Sequence, residues 1–181
     1  MPILDTFRIA NHSDVEDIVT LVNMAYRPAS NAFSGWTHET DFISGERINA
    51  TQLLDILAKP NIVIVVAIKN LTIVACVEIK KQDNVSYIGM LAVSPVLQGK
   101  GLGKQVLAYA EHYARLNFNA DKFMIMVLAS RFELIAFYLR RGYQKNGGII
   151  EYPLSAGVGI PKQLDIKLEV LEKSATQCSI K

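Results

Sequence analysis

The sequence predicts an α+β fold, a mixed α/β sheet with helices packed against it. Three observations lead there. Three strand-like runs, Ile62–Ile68, Leu71–Lys80 and Tyr87–Val93, follow one another with only the short turns Lys69-Asn70 and Gln82-Asp83-Asn84 between them. Consecutive strands argue against an alternating, doubly wound sheet. The last run then passes through Ser94-Pro95 into a glycine-rich stretch and directly into a helical pattern. Beyond that helix lies another strand run, Phe123–Leu128, so the helix is a crossover and the strands on either side of it should lie parallel.

Each element has a local cause. Phe7–Ala10 reads as a first strand, and Asn11-His12-Ser13 as a turn. Ser13 followed by Glu16 has the spacing of a capping box. Val15, Ile18, Val19, Val22, Ala25 and Tyr26 then recur on one helical face, up to Arg27-Pro28. Residues 28–48 are polar and irregular, a long loop of the kind that often carries function. A second helix is expected from Asn49 to Lys59, with Leu53, Leu54 and Leu57 inward and Pro60 ending it. Ile62–Ile68 is a continuous β-branched run, as in a strand covered on both faces. A hairpin with Leu71–Lys80 should follow. The third helix spans about Gly103–Asn117, with Val106, Leu107, Ala110, Tyr113 and Ala114 inward. Glu133–Arg141 is a fourth helix, stopped by Gly142. Tyr143–Tyr152 contains a strand broken at Gly147-Gly148, and Leu164–Leu171 is the last strand. The order is β-α-α-β-β-β-α-β-α-β-β. At 181 residues this is one domain, 1–181, with 172–181 expected to be a frayed tail.

Composition narrows the class. Half of the residues are hydrophobic, a fifth are charged, and the net charge is +2. No clustered basic face marks a nucleic-acid partner. No apolar run reaches the ~18 residues of a membrane helix, and MPILDTFRIA lacks the pattern of a signal peptide. Cys76 and Cys178 lie far apart, which points to free thiols in a reducing compartment. The expectation is a cytoplasmic protein, with no membrane or nucleic-acid partner. His12, His38 and His112 are scattered and neither cysteine has a ligand-spaced partner, so no metal is expected.

The chemistry is concentrated between Tyr87 and Lys104, YIGMLAVSPVLQGKGLGK. A strand that enters a helix through glycines leaves several backbone N–H groups without carbonyl partners. The helix dipole adds partial positive charge at the same place, so the junction can hold a phosphate. Lys100 and Lys104 add full charges. The Walker pattern fails, because Gln98 stands at its first glycine and Gln105 follows Lys104. The dinucleotide pattern fails because Lys104 occupies its third glycine. What fits is Q-x-x-G-x-G, as Gln98, Gly101 and Gly103. It resembles the acetyl-CoA pyrophosphate loop of the GNAT superfamily of acetyl-CoA-dependent N-acetyltransferases. A second segment, Ala136-Phe137-Tyr138-Leu139-Arg140-Arg141-Gly142-Tyr143, is similar to another motif of that family, and the order of elements matches its fold over nearly the whole chain.

The resemblance implies a GNAT-like acyl-CoA N-acyltransferase fold. It implies acetyl-CoA as acyl donor, with transfer to a primary amine of a small molecule or peptide by direct attack in a ternary complex. The strand before the glycine loop should splay from the next parallel strand, and the pantetheine arm should bond its backbone at Leu91, Ala92 and Val93. The pyrophosphate should meet the amides of Gln98, Gly99, Lys100, Gly101, Leu102, Gly103 and Lys104. A backbone N–H at Leu91 is placed for the oxyanion, and Tyr138 corresponds to the family's tyrosine acid. Glu133 stands where many members have an asparagine that contacts the pantetheine arm. The early-strand glutamate of some protein-acetylating members is replaced by Tyr87. Candidate bases or acceptor contacts are therefore Glu78, Glu39, His38 and Glu151. Of these, Glu39 is favoured as an acceptor contact together with Trp36, because they share the long loop. The family state is a monomer or a homodimer. The alternative function, from another class, is a domain that binds acyl-CoA without turnover.

Overall fold

Continuous apolar runs and turn chemistry decide the centre of the sheet. The structure, a computed structural model, describes residues 4–29 and 38–175. Strands β3 (Ile62–Lys69) and β4 (Thr72–Gln82) form the expected antiparallel hairpin. Its turn places Asn70 and Leu71 at φ 49 and 62, the positive values of a tight two-residue hairpin turn. A second hairpin joins β4 to β5 (Val85–Val93) through Asp83 at φ 54. At one edge β1 (Thr6–Ile9) pairs antiparallel with β3. The crossover holds as expected: helix α3 (Leu102–Phe118) carries the chain to β6 (Lys122–Leu128), which lies parallel to β5. With β7 (Gln144–Glu151) and β9 (Lys167–Ser174), the sheet has the order β1-β3-β4-β5-β6-β9-β7.

Both faces of the sheet are packed. Helix α3 and helix α4 (Phe132–Leu139) cover one face, where Leu102, Val106, Leu107 and Ala110 meet Val65, Ile79, Phe123 and Tyr138. Helix α1 (Val15–Tyr26) and helix α2 (Ala50–Leu57) cover the other, where Ile18, Val22 and Leu53 meet Ile64, Val66, Cys76 and Met90. Each fully buried aliphatic or aromatic side chain contributes about 1.5–3 kcal/mol relative to exposure.

Several boundaries differ from the sequence reading. The capping box belongs to Asn11 and Asp14, which close a short 3₁₀ turn ahead of α1, and not to Ser13 and Glu16. Asp14 is buried and accepts both guanidinium nitrogens of Arg8, at 2.6 and 2.8 Å, which fixes that residue rather than Glu16 at the chain entry. Leu54 of α2 faces outward, because Leu53 alone takes the central position against β3. The loop before α2 is not wholly irregular: β2 (Ile43–Ser44) pairs with β8 (Ile160–Pro161), with Ile43 buried. Strand β9 continues through Glu172, Lys173 and Ser174, inside the stretch read as frayed. Glu172 pairs with both β6 and β7, and Lys173 and Ser174 pair with β6, so the ladder holds this end whatever its side chains. Among the described residues, no helix is long and apolar enough to cross a membrane.

Strand β5 departs from regular pairing on both of its edges. Pairing with β4 passes from Cys76↔Ala92 to Glu78↔Gly89, so Met90 and Leu91 together oppose Val77 in a bulge. Met90 sits at φ 46, a strained value for a side-chain-bearing residue. The parallel ladder with β6 covers only Val85–Tyr87 against Lys122–Met124. Beyond it the two strands separate.

Candidate active site

The separation of β5 from β6 opens two cavities that share four residues. One, of about 300 Å³, is lined by Leu91 and Val93 of β5, by Gln98, Gly99, Gly101, Gly103 and Lys104 of the loop, and by Phe137, Tyr138 and Arg141. The other, of about 440 Å³, lies on the α1–α2 side and between the splayed strands. Its wall includes Glu78, Gly89, Met90, Met126 and Tyr152. Tyr26, Leu91, Leu134 and Tyr138 line both.

The smaller cavity is built by the glycine loop. Gly99 and Gly101 hold φ 74 and 83, and a Cβ added at either would project into open space. Only a backbone lacking Cβ both takes these angles and leaves that space free. Gly101 is the N-cap of α3, no side chain caps the helix, and its first turn carries no acidic residue. The amide groups of this 17-residue helix therefore end on the cavity as an uncompensated positive pole. The Gln98 side chain turns inward and donates from Nε2 to the Val93 carbonyl at 2.9 Å, tying the loop to the end of β5. Lys100 donates from Nζ to the Val96 carbonyl at 3.2 Å. Leu102 is in the core, and Ala92 packs on the α1–α2 face. At those two positions, then, only the backbone is available to a ligand.

Tyr138 stands where the cavities meet. It is 6% exposed, with its ring edge-on to Phe137 and Tyr143. Burial pushes its phenol well above the ordinary tyrosine range, so it keeps its proton at neutral pH. Opposite it, Tyr26 donates its hydroxyl to the Leu91 carbonyl at 2.9 Å. The Leu91 and Val93 carbonyls each hold one side-chain donor and keep a second lone pair.

The larger cavity holds the ionisable groups. Glu78 is half-buried on β4, and burial raises its carboxyl above the usual range; Arg47, Lys80 and Lys59 pull partly back. Glu39 also lines this cavity, but its Oε2 accepts from Arg27 Nη1 at 2.6 Å, and the two side chains are only 13% and 5% exposed. Arg27 also donates to the Val158 carbonyl at 3.2 Å, so the pair clamps the loop before β2 onto the segment after β7. Removing one member of such a pair strands the other charge. Arg27→Ala is expected to cost about 3–5 kcal/mol, read as a lower urea midpoint, and Glu39→Gln less. An unchanged midpoint in Arg27→Ala would show that the pair adds nothing net.

The remaining candidates lie elsewhere. His38 bonds Thr40 through Nδ1 at 3.2 Å and its carbonyl accepts from Arg131, away from both cavity walls. Glu151 is exposed on β7. Glu133 does not line either cavity; it is 54% exposed and accepts from Arg131 Nε at 2.5 Å. That pairing is the partner the structure gives Glu133 at the position expected to contact the donor arm. Trp36 lies outside the described residues. Cys76 is buried, its thiol is pushed up to about 12 by desolvation, and it is no nucleophile at neutral pH. Among the described residues no group of His, Cys, Asp and Glu is arranged to hold a metal.

Sequence reading missed Tyr26, Arg47, Tyr152 and Arg141 as wall residues. Tyr26 was legible only as part of an apolar helix face. Arg141 lies inside the α4 motif, where its charge was the available signal: it sits over the Phe137 ring at 3.4 Å and bonds that residue's carbonyl.

Comparison with known proteins agrees with this geometry. No curated protein sequence matches the chain. Among solved structures, smu.2055 from Streptococcus mutans UA159 superimposes with a TM-score of 0.70 at 16% identity, over 94% of this chain and 99% of that one. An N-acetyltransferase from Staphylococcus aureus Mu50 gives 0.70 at 16%, over 94% and 97%. The ribosomal-protein-S18-alanine N-acetyltransferase from Escherichia coli gives 0.67 at 13%, over 97% of each chain. At these identities the likeness is one of fold. The profile described as Acetyltransferase (GNAT) family matches residues 22–143, which span the splayed strands, the glycine loop and α4. The chain belongs to the GNAT family of acetyltransferases.

Proposed function

We propose that this protein transfers the acetyl group of acetyl-CoA to a primary amine, with both substrates bound at once. One observation carries the reading. The cavity at the glycine loop and the cavity holding Glu78 meet at Leu91 and Tyr138. A donor can thus enter from one side and an acceptor from the other. The donor supplies an activated acyl carbon as a thioester; everything else falls to the chain.

The loop fits the donor. The amides at the α3 N-terminus, with Lys104 beside them, suit a pyrophosphate, and the apolar walls at Leu91, Val93 and Phe137 suit the pantetheine arm. Glu133 is assigned no donor contact. An alkylamine is mostly protonated at neutral pH, with a pKa near ~10, so its proton must be removed before attack. Glu78 is the carboxylate placed to take it, directly or through a water. Glu39 is already neutralised by Arg27, and its part is to shape the acceptor wall. The amine's electron pair forms the new C–N bond as the C–S bond breaks. The Leu91 N–H is the candidate donor to the carbonyl oxygen, Tyr138 gives its proton to the departing sulfur, and the proton that the acylated nitrogen sheds returns through water to the Tyr138 phenolate.

The direct test follows thiol release from acetyl-CoA over a panel of amines, with acetyl-CoA binding titrated in parallel. Amine-dependent release is expected. Tight acetyl-CoA binding without release for any amine would favour a non-catalytic acyl-CoA-binding domain, and failure to bind would overturn the donor assignment.

Glu78 makes a separate prediction. Its carboxyl is raised, so the base form accumulates at higher pH than in an exposed glutamate. Turnover should therefore rise as pH increases through that raised value. Glu78→Gln should remove this limb and lower kcat/KM by about 100-fold at neutral pH, leaving the rise set by the amine itself. A pH profile unchanged in the variant would reassign the base to water.

A further inference from the structure

We infer that Arg47 selects an acceptor that carries a carboxylate, which makes the substrate a small amino acid. The inference rests on the larger cavity being the acceptor side. Four charged side chains line that cavity: Glu39, Arg47, Glu78 and Lys80. Glu39 is cancelled by Arg27 at 2.6 Å. Arg131, near the same region, is tied to Glu133 and to the His38 carbonyl. Arg47 differs from both: among the described residues its guanidinium takes part in no ion pair and no side-chain hydrogen bond, and its one polar contact is the face of Tyr26, with Cζ 5.6 Å from the ring centroid.

Its position is nevertheless fixed. Asn23 of α1 accepts from the Arg47 N–H at 2.8 Å and donates to the Ile48 carbonyl at 2.8 Å, and Ile48 is buried beneath. A clamped backbone that presents a guanidinium with no ion-pair contact among the described residues is already organised for an anion, and the fork of donors suits a carboxylate. Tyr26 links this group to the reacting end, because its ring faces Arg47 while its hydroxyl bonds the Leu91 carbonyl. Glu78 and Lys80 point the same way from alternate positions of β4. Arg47 and Glu78 line one cavity and act on each other through its field without an ion-pair contact. An acceptor carrying both groups would set its amine toward Glu78 and its carboxylate toward Arg47. A diamine would oppose Arg47 and Lys80. A volume of about 440 Å³ suits a small molecule.

The test compares L-amino acids with their amides and their decarboxylated amines, in the wild type and in Arg47→Gln and Arg47→Lys. The wild type should favour the acid over its amide by about 10- to 100-fold in kcat/KM, the range of a charge-assisted hydrogen-bonded pair. Arg47→Gln should collapse that ratio through KM rather than kcat, and Arg47→Lys should restore part of it. Equal use of acid and amide, or a ratio unmoved in Arg47→Gln, overturns the inference while leaving acetyl transfer standing. A second readout needs no turnover: calorimetric binding of N-acetyl-L-amino acids, with CoA present. If no amine is acetylated, yet these acids bind and Arg47→Gln weakens them about 10-fold or more, the anion site stands and the transfer reading falls. Acids that fail to bind, or bind both proteins alike, overturn the role of Arg47.

Discussion

Valine at position 101 is expected to weaken acetyl-CoA binding by at least about 100-fold, the loss of two charge-assisted hydrogen bonds. Two effects combine. Gly101 holds φ 83, where a β-branched residue is strained, so the turn that aims the α3 amides must shift. If the turn resists, the added side chain projects into the open space beside the loop, where a phosphate would approach. Fold is a separate question, checked by circular dichroism and a urea titration. The N-cap carbonyl still accepts from Gln105 at 3.3 Å, so α3 itself has no reason to unravel. Calorimetric titration of the folded variant decides the matter, and full affinity there would sink the placement of the pyrophosphate.

Replacing Tyr138 by phenylalanine is expected to lower kcat by about 10²- to 10⁴-fold, the usual worth of a positioned general acid, with acetyl-CoA affinity nearly intact. The ring contacts with Phe137 and Tyr143 survive the change, so the packing of α4 is kept. Among the described residues the phenol has no hydrogen-bond partner, so no other group loses a bond when it goes. Steady-state turnover with a responsive amine, paired with direct donor titration, separates the outcomes. Full activity would make Tyr138 a packing residue. Lost donor affinity with unchanged turnover at saturation would make it a donor contact.

The fold was legible wherever periodicity or a turn signal was strong. The β-branched run of β3, the polar turns of both hairpins and the glycine loop each have one local reading, and the structure follows it. The pair β2–β8 was not legible, because two residues carry no period, and Ile43 declares itself only by its burial. The end of β9 was hidden for another reason. Glu172, Lys173 and Ser174 read as polar tail, but pairing with β6, joined at Glu172 by pairing with β7, holds the backbone irrespective of side-chain character. Of the site, the loop and the α4 motif stood out because contiguous residues build them. The wall of the larger cavity did not. Arg47, Tyr26, Glu78 and Tyr152 come from four separate segments, and only the folded chain brings them to one cavity.

The bulge at Met90 also resets the phase of β5. In an unbroken strand Ile88, Met90 and Ala92 would share one face, and Leu91 would share the other with Val93. Here Ile88 packs with Leu91 and Val93 toward α3, while Met90 and Ala92 turn to α1. The strand is thus two short strands in opposite phase, joined at a single left-handed residue. A regular strand between two packed layers commits each residue to one layer or the other. The phase slip lets β5 keep both layers filled while Leu91, just past the joint, borders the two cavities at once.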